Sequence, residues 1–158
     1  MAIATGILAV NAAFLRDIKD DNRRLHDLLD ETSRLFASTN SVEGKARRIV
    51  NVLVELRDQL ALHFALEEAY GYFEDALEST PSLTERAEKL RSQHRELFIE
   101  LCGIVDQAEQ GLYHENSKAN CVPLAERFQR FLYDLRQHEA REVDMIMEAL
   151  SNDVGVGD

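Results

Sequence analysis

Two short runs in this 158-residue chain set an imidazole and a carboxylate one helical turn apart: His63 with Glu67 in "QLALHFALEEAYGYF", and His138 with Glu142 in "QHEARE". Residues four apart on a helix share a face, so each pair presents a nitrogen and an oxygen donor to one volume. A third imidazole, His94 in "QHREL", falls on the apolar stripe of its own segment. All five stand where the surrounding pattern would place leucine.

That placement is expensive. A buried carboxylate without a partner costs several kcal/mol, and two of them with three imidazoles would consume much of a typical stability of about 5–15 kcal/mol. A lone inward histidine is ordinarily a core residue with one hydrogen bond, but this combination requires a cation. None of the inward positions is lysine or arginine, and Arg91, Arg95, Arg136 and Arg141 lie off the stripe. A bound metal is the economical partner. Imidazole and carboxylate together suit iron, zinc or manganese, and two carboxylates able to bridge suit a pair of ions. The Glu-x-x-His pattern of ferritin-like bundles is absent, since Leu60, Arg91 and Leu135 stand three before the histidines. No His-Glu-x-x-His zinc motif occurs either.

Four amphipathic segments must position these donors. The first is predicted over about 11–37, with Ile18, Asn22, Leu25, Leu29, Thr32 and Phe36 on its stripe. The second covers about 42–77, with Ile49, Leu53, Leu56, Leu60, His63, Glu67 and Tyr70 in register. Pro81 is read as its stop, with Ser82 and Glu85 as a capping box for the third, about 83–110, which Gly111 ends. The fourth is expected to begin near Pro123 and to carry Leu124, Phe128, Phe131, Leu135, His138, Glu142, Met145 and Ala149 inward. Comparable lengths and short connections predict an all-α protein, an antiparallel up-and-down four-helix bundle.

The chain is long enough for one domain with a real core, read as a single unit over 1–158, with an apolar arm at about 1–10 and a fraying tail at about 151–158. The arm is expected to pack on the bundle or on a second subunit. Eighteen basic against 29 acidic residues give a formal charge of −11, which argues against nucleic acid and against an anionic membrane surface as partners. Two cysteines, Cys102 and Cys121, make no disulfide framework and no Cys-x-x-Cys pair, so a reducing cytoplasm is the expected compartment. The start lacks a basic n-region and is broken by Asn11, which fits neither a signal peptide nor a membrane span. His114 reads as a loop histidine, Tyr70, Tyr133 and Phe131 as core, and Cys102 as a small buried hydrophobe.

In order and helix placement, "HFALE", "QHREL" and "QHEARE" resemble the hemerythrin-like family, the HHE cation-binding domains. The resemblance covers about Phe14 to Leu150. It implies a four-helix bundle around a non-haem pair of iron ions, with His63, Glu67, His94, His138 and Glu142 as ligands. Two departures stand out. The family's first-helix histidine falls at Asn22, with His26 one turn further on, and a second helix-three histidine would fall at Leu90. Level matching from the turn near Asn40 favours Asn22, as a weak oxygen ligand, a hydrogen-bond partner of a bound water or ligand, or a plain buried amide. His26 is a further candidate ligand if the first helix turns it inward. Fewer protein ligands imply weaker metal retention and faster autoxidation than in a dedicated oxygen carrier.

The resemblance implies binding of dioxygen or a related small molecule, such as nitric oxide or peroxide, at two iron ions, with uses in oxygen, iron or redox sensing. Zinc or manganese also suits the donors. Two other readings stand beside it: a metal-stabilised structural or regulatory bundle acting through a protein partner, and an apo bundle whose site was lost with the first-helix histidine. No catalytic acid or base separate from the candidate ligands stands out, so no enzymatic activity is assigned.

Overall fold

A computed structural model describes the backbone of residues 2–38, 42–69, 81–113 and 117–156, and the side chains of 16, 19–38, 45–68, 82–112, 122–149 and 151. The described residues form four helices: α1 (Ala2–Ala37), α2 (Val42–Ala69), α3 (Pro81–Tyr113) and α4 (Ser117–Val156). They pack as the expected four-helix bundle. Cross-helix pairs fix its antiparallel sense, because partners on neighbouring helices run in opposite directions along the chain. Lys45 donates to the Ser38 carbonyl and Gln59 to Asp21, and Arg24 pairs with Glu55 between them. Between α3 and α4, Arg86 pairs with Glu148, His94 with Glu142, and Arg127 with Glu100 and Gln107.

The helix ends differ from the sequence reading in instructive ways. α1 extends back to Ala2, through the residues read as an arm, and α4 runs on to Val156, through those expected to fray. Pro81 opens α3 instead of preceding it, because its fixed φ and missing N–H cost nothing at a first helical position. Ser82 therefore sits inside the first turn and not at a cap. α3 continues through Gly111, and α4 begins at Ser117, leaving Pro123 inside the helix with one backbone hydrogen bond forfeited. Tyr70, His114 and the expected end of the second helix lie outside the described residues, as does the Cys121 side chain.

Among the described residues the bundle has two apolar clusters. The larger joins Leu25, Leu53, Leu60, Leu101, Phe128 and Leu135, among others, with Phe36 packed against it. A smaller one groups Leu83, Ala87, Leu90, Met145 and Ala149. In every helix that contributes to both, the inward histidine or carboxylate separates the residues of one cluster from those of the other. Burial of Phe128, Phe131 and the leucines supplies about 1.5–3 kcal/mol per side chain relative to exposure. Buried Thr32 is tolerated because its hydroxyl donates to the Leu28 carbonyl at 2.7 Å. Phe131 is core as expected, but Tyr133 is 64% exposed and Cys102 only half-buried. Tyr133 is two positions past Phe131 and so points away from the 131/135/138 stripe. No helix among the described residues is long and apolar enough to cross a membrane.

Candidate metal centre

The polar layer between the two clusters brings together all five residues that the helical spacing singled out. His63, Glu67, His94, His138 and Glu142 are all buried, at 2–7% exposure. Among the described residues, one atom each from Glu67, His94, His138 and Glu142 forms a compact group in which every pair lies within 4.8 Å. Ligands on opposite sides of an ion stand about 4 Å apart, given metal–donor bonds of ~2.0–2.2 Å. Side-chain movements of less than an ångström would therefore close this group around a cation.

The orientation of the rings is more telling than their proximity. Each imidazole meets an oxygen outside the compact group through Nδ1: His63 to Asp21 Oδ2 at 2.6 Å, His94 to Glu68 Oε1 at 3.2 Å, and His138 to Gln93 Oε1 at 2.9 Å. Each Nε2 faces one or both of the interior carboxylates. His63 Nε2 lies 2.8 Å from Glu67 Oε1, His94 Nε2 lies 3.0 Å from Glu67 Oε2 and 3.1 Å from Glu142 Oε1, and His138 Nε2 lies 2.5 Å from Glu142 Oε1. A ring whose outer nitrogen donates to a carboxylate or amide oxygen is locked in the tautomer that leaves Nε2 free to ligate.

Two atoms in the layer are short of partners. Glu67 Oε2 and His138 Nε2 are fully buried and make no well-formed hydrogen bond, although His94 Nε2 lies 3.0 Å from the first and Glu142 Oε1 2.5 Å from the second. Short separation without alignment is what donors show when they converge on a shared centre and not on one another. The donor set, the inward Nε2 atoms and these two orphaned atoms fit a metal ion.

The metal-free layer is held by protons. Burial alone would lower the histidine pKa values, but the contacts with Asp21 and Glu67 raise His63 to about 10. The contacts with Glu142, Glu67 and Glu68 likewise raise His94 to about 9. Burial would raise Glu67, yet His63 and His94 together hold it at about 2. Imidazolium protons thus supply the positive charge that a cation would bring.

Phe64 forms the floor of the layer. Its ring stacks on His94 with centroids 4.1 Å apart and planes 10° from parallel, and meets His138 edge-on at 5.9 Å. On the α1–α4 side, a cavity of about 190 Å³ reaches the layer between Asp21, Asn22, His26, His63, Glu67, Glu139 and Glu142, with Leu66, Val143 and Ile146 as its apolar wall.

On α1 the structure corrects the sequence reading. Asp21, not Asn22, is the buried polar residue, and it accepts from both His63 and Gln59. Asn22 is half-buried on the cavity wall. A signal for it lies in the sequence: Asp21, Leu25, Leu28 and Thr32 also follow a 4-3-4 spacing, sharing Leu25 and Thr32 with the Asn22 stripe and differing by one residue at 21 and 28. His26 stays at the cavity rim, 54% exposed, with Nε2 3.7 Å from Glu139 Oε2. Glu68 and Gln93, which orient His94 and His138, were also missed, because each lies beside the stripe and not on it.

The described helices form a four-helix bundle whose interior layer of three imidazoles and two carboxylates could hold a metal ion. Residues 13–150 match the hemerythrin HHE cation-binding domain, and the chain belongs to that family. The comparisons found no match among curated proteins and none among solved structures.

Proposed function

We propose that this protein is a non-haem di-iron protein that binds dioxygen or a related small molecule, such as nitric oxide or peroxide, in the cavity beside the buried layer. The observation that carries this reading is the common orientation of the three imidazoles, Nδ1 tied outward and Nε2 turned toward shared carboxylates. His94, His138 and Glu142 would hold one ion and His63 would serve a neighbouring one. Glu67 stands between them, with Oε1 toward His63 and Oε2 toward His94. Bound iron supplies one-electron redox chemistry and coordination positions open to small ligands.

The chain's own residues prepare that chemistry. Asp21, Glu68 and Gln93 fix the rings, so no reorientation is needed on loading. Phe64 and the larger apolar cluster exclude water from below. Leu66, Val143 and Ile146 make one wall of the cavity apolar, suiting a small neutral ligand that the Asn22 amide on the same cavity would hydrogen-bond.

A second reading, a single structural zinc, is favoured by the compactness of the Glu67, His94, His138 and Glu142 group, whose four donors match a closed zinc site. Loading with ferrous iron under argon, followed by admission of dioxygen, separates the two. A visible absorption band that forms with oxygen and fades on its removal is expected. Absence of any oxygen-dependent band in iron-loaded protein, with zinc retained through purification, would overturn the first reading in favour of the second.

A further inference from the structure

Glu139 is the one carboxylate on the cavity that the reading above leaves unused. Among the described residues its Oε1 is buried and has no hydrogen-bond partner, and its Oε2 lies 3.7 Å from Nε2 of the half-exposed His26. That separation is beyond a hydrogen bond. An unsatisfied buried carboxylate oxygen is costly.

Around the same cavity stand His63, whose Nε2 faces inward, Glu67, whose Oε1 lies 2.8 Å from that nitrogen, and Glu142. Asp21 is not available in the same way, since Gln59 and His63 each occupy one of its oxygens at 2.6 Å. α1 therefore orients a ligand here without being one. We infer that Glu139 completes the cavity-side cation position, together with His63, Glu67 and Glu142, so that α4 supplies the ligand that α1 lacks. This rests on the metal-binding reading above.

The two positions then differ in chemistry. The compact group offers two imidazoles and two carboxylates, whereas the cavity position offers one imidazole and three carboxylates, a harder, oxygen-rich set suited to manganese or ferrous iron. Neither His63 nor Glu139 belongs to the compact group, so the cavity position is wider and binds second.

Titration of metal-free protein with Mn(II), with free ion counted by electron paramagnetic resonance, tests this in the full-length chain. Two ions per chain are expected, the second more weakly held. Glu139→Gln, which keeps the shape of the side chain, is expected to retain the first ion at unchanged affinity and to weaken the second by roughly tenfold or more. Circular dichroism checks that the variant is folded, and unchanged tight binding of the first ion confirms its layer is intact. Equal affinities for both ions in the parent and Glu139→Gln would overturn the proposal while leaving the metal-binding reading standing. So would a single ion in the parent, or loss of the second ion in His26→Ala but not in Glu139→Gln. No ion in the parent would overturn both.

Discussion

Asp21 accepts a 2.6 Å hydrogen bond from Nδ1 of His63, across the α1–α2 interface, and so turns the other ring nitrogen toward Glu67. The bond joins two buried side chains and ties α1 to the layer. Outer partners of this kind typically set metal affinity by about 10–100-fold. Asp21→Asn is expected to weaken metal binding within that range while leaving the helix content unchanged, measured by competition with a chromogenic chelator. Unaltered affinity would show that His63 is oriented by packing alone.

The histidine pKa values give the metal-free protein a defined pH profile. His63 and His94 are raised to about 10 and about 9 from 6.5, so their contribution to stability is complete below about pH 6.5 and is lost as pH rises through 9 and 10. Glu67, lowered to about 2 from 4.5, contributes fully above about pH 4.5 and loses its contribution as pH falls toward 2. These are two views of the same contacts and are not additive. Urea midpoints of metal-free protein are expected to be highest between about pH 4.5 and 6.5 and to fall steadily from pH 7 to 10. Metal-loaded protein should lose this alkaline slope, because ligation requires neutral imidazole. An equal alkaline slope in both forms would contradict the picture of protons standing in for a cation.

Phe64 serves packing and orientation at once, buried in the larger cluster and stacked on His94. Phe64→Ala is expected to cost about 3–5 kcal/mol in unfolding free energy. Phe64→Leu should restore most of that stability but not the stacking, so metal affinity should recover less than stability does. Parallel recovery of both would reduce Phe64 to a space-filling role.

Much of the architecture was legible in the sequence because helical period and burial are the same information. Leu53, Leu60, Leu101 and Leu135 fall on the stripes and in the core. His63, Glu67, His94, His138 and Glu142 stood out because they broke that pattern from within it. What escaped was phase and lateral reach. A step of three or four is equally helical, so Asn22 and Asp21 could not be ranked without knowing how α1 is rotated. Glu68, Gln93 and Glu139 each adjoin a stripe residue, and their long side chains bend back to the layer from beside it. The sequence reading takes Pro81 as a stop and Pro123 as a start, whereas Pro81 begins a helix and Pro123 lies within one.

The central claim is that the buried imidazole–carboxylate layer is built for metal, and the metal content of the purified protein tests it most directly. Protein produced in iron-supplemented cells and purified without oxygen is expected to carry about two irons per chain. Protein that is folded, yet carries neither iron nor any other metal and takes up none on addition, would contradict the account.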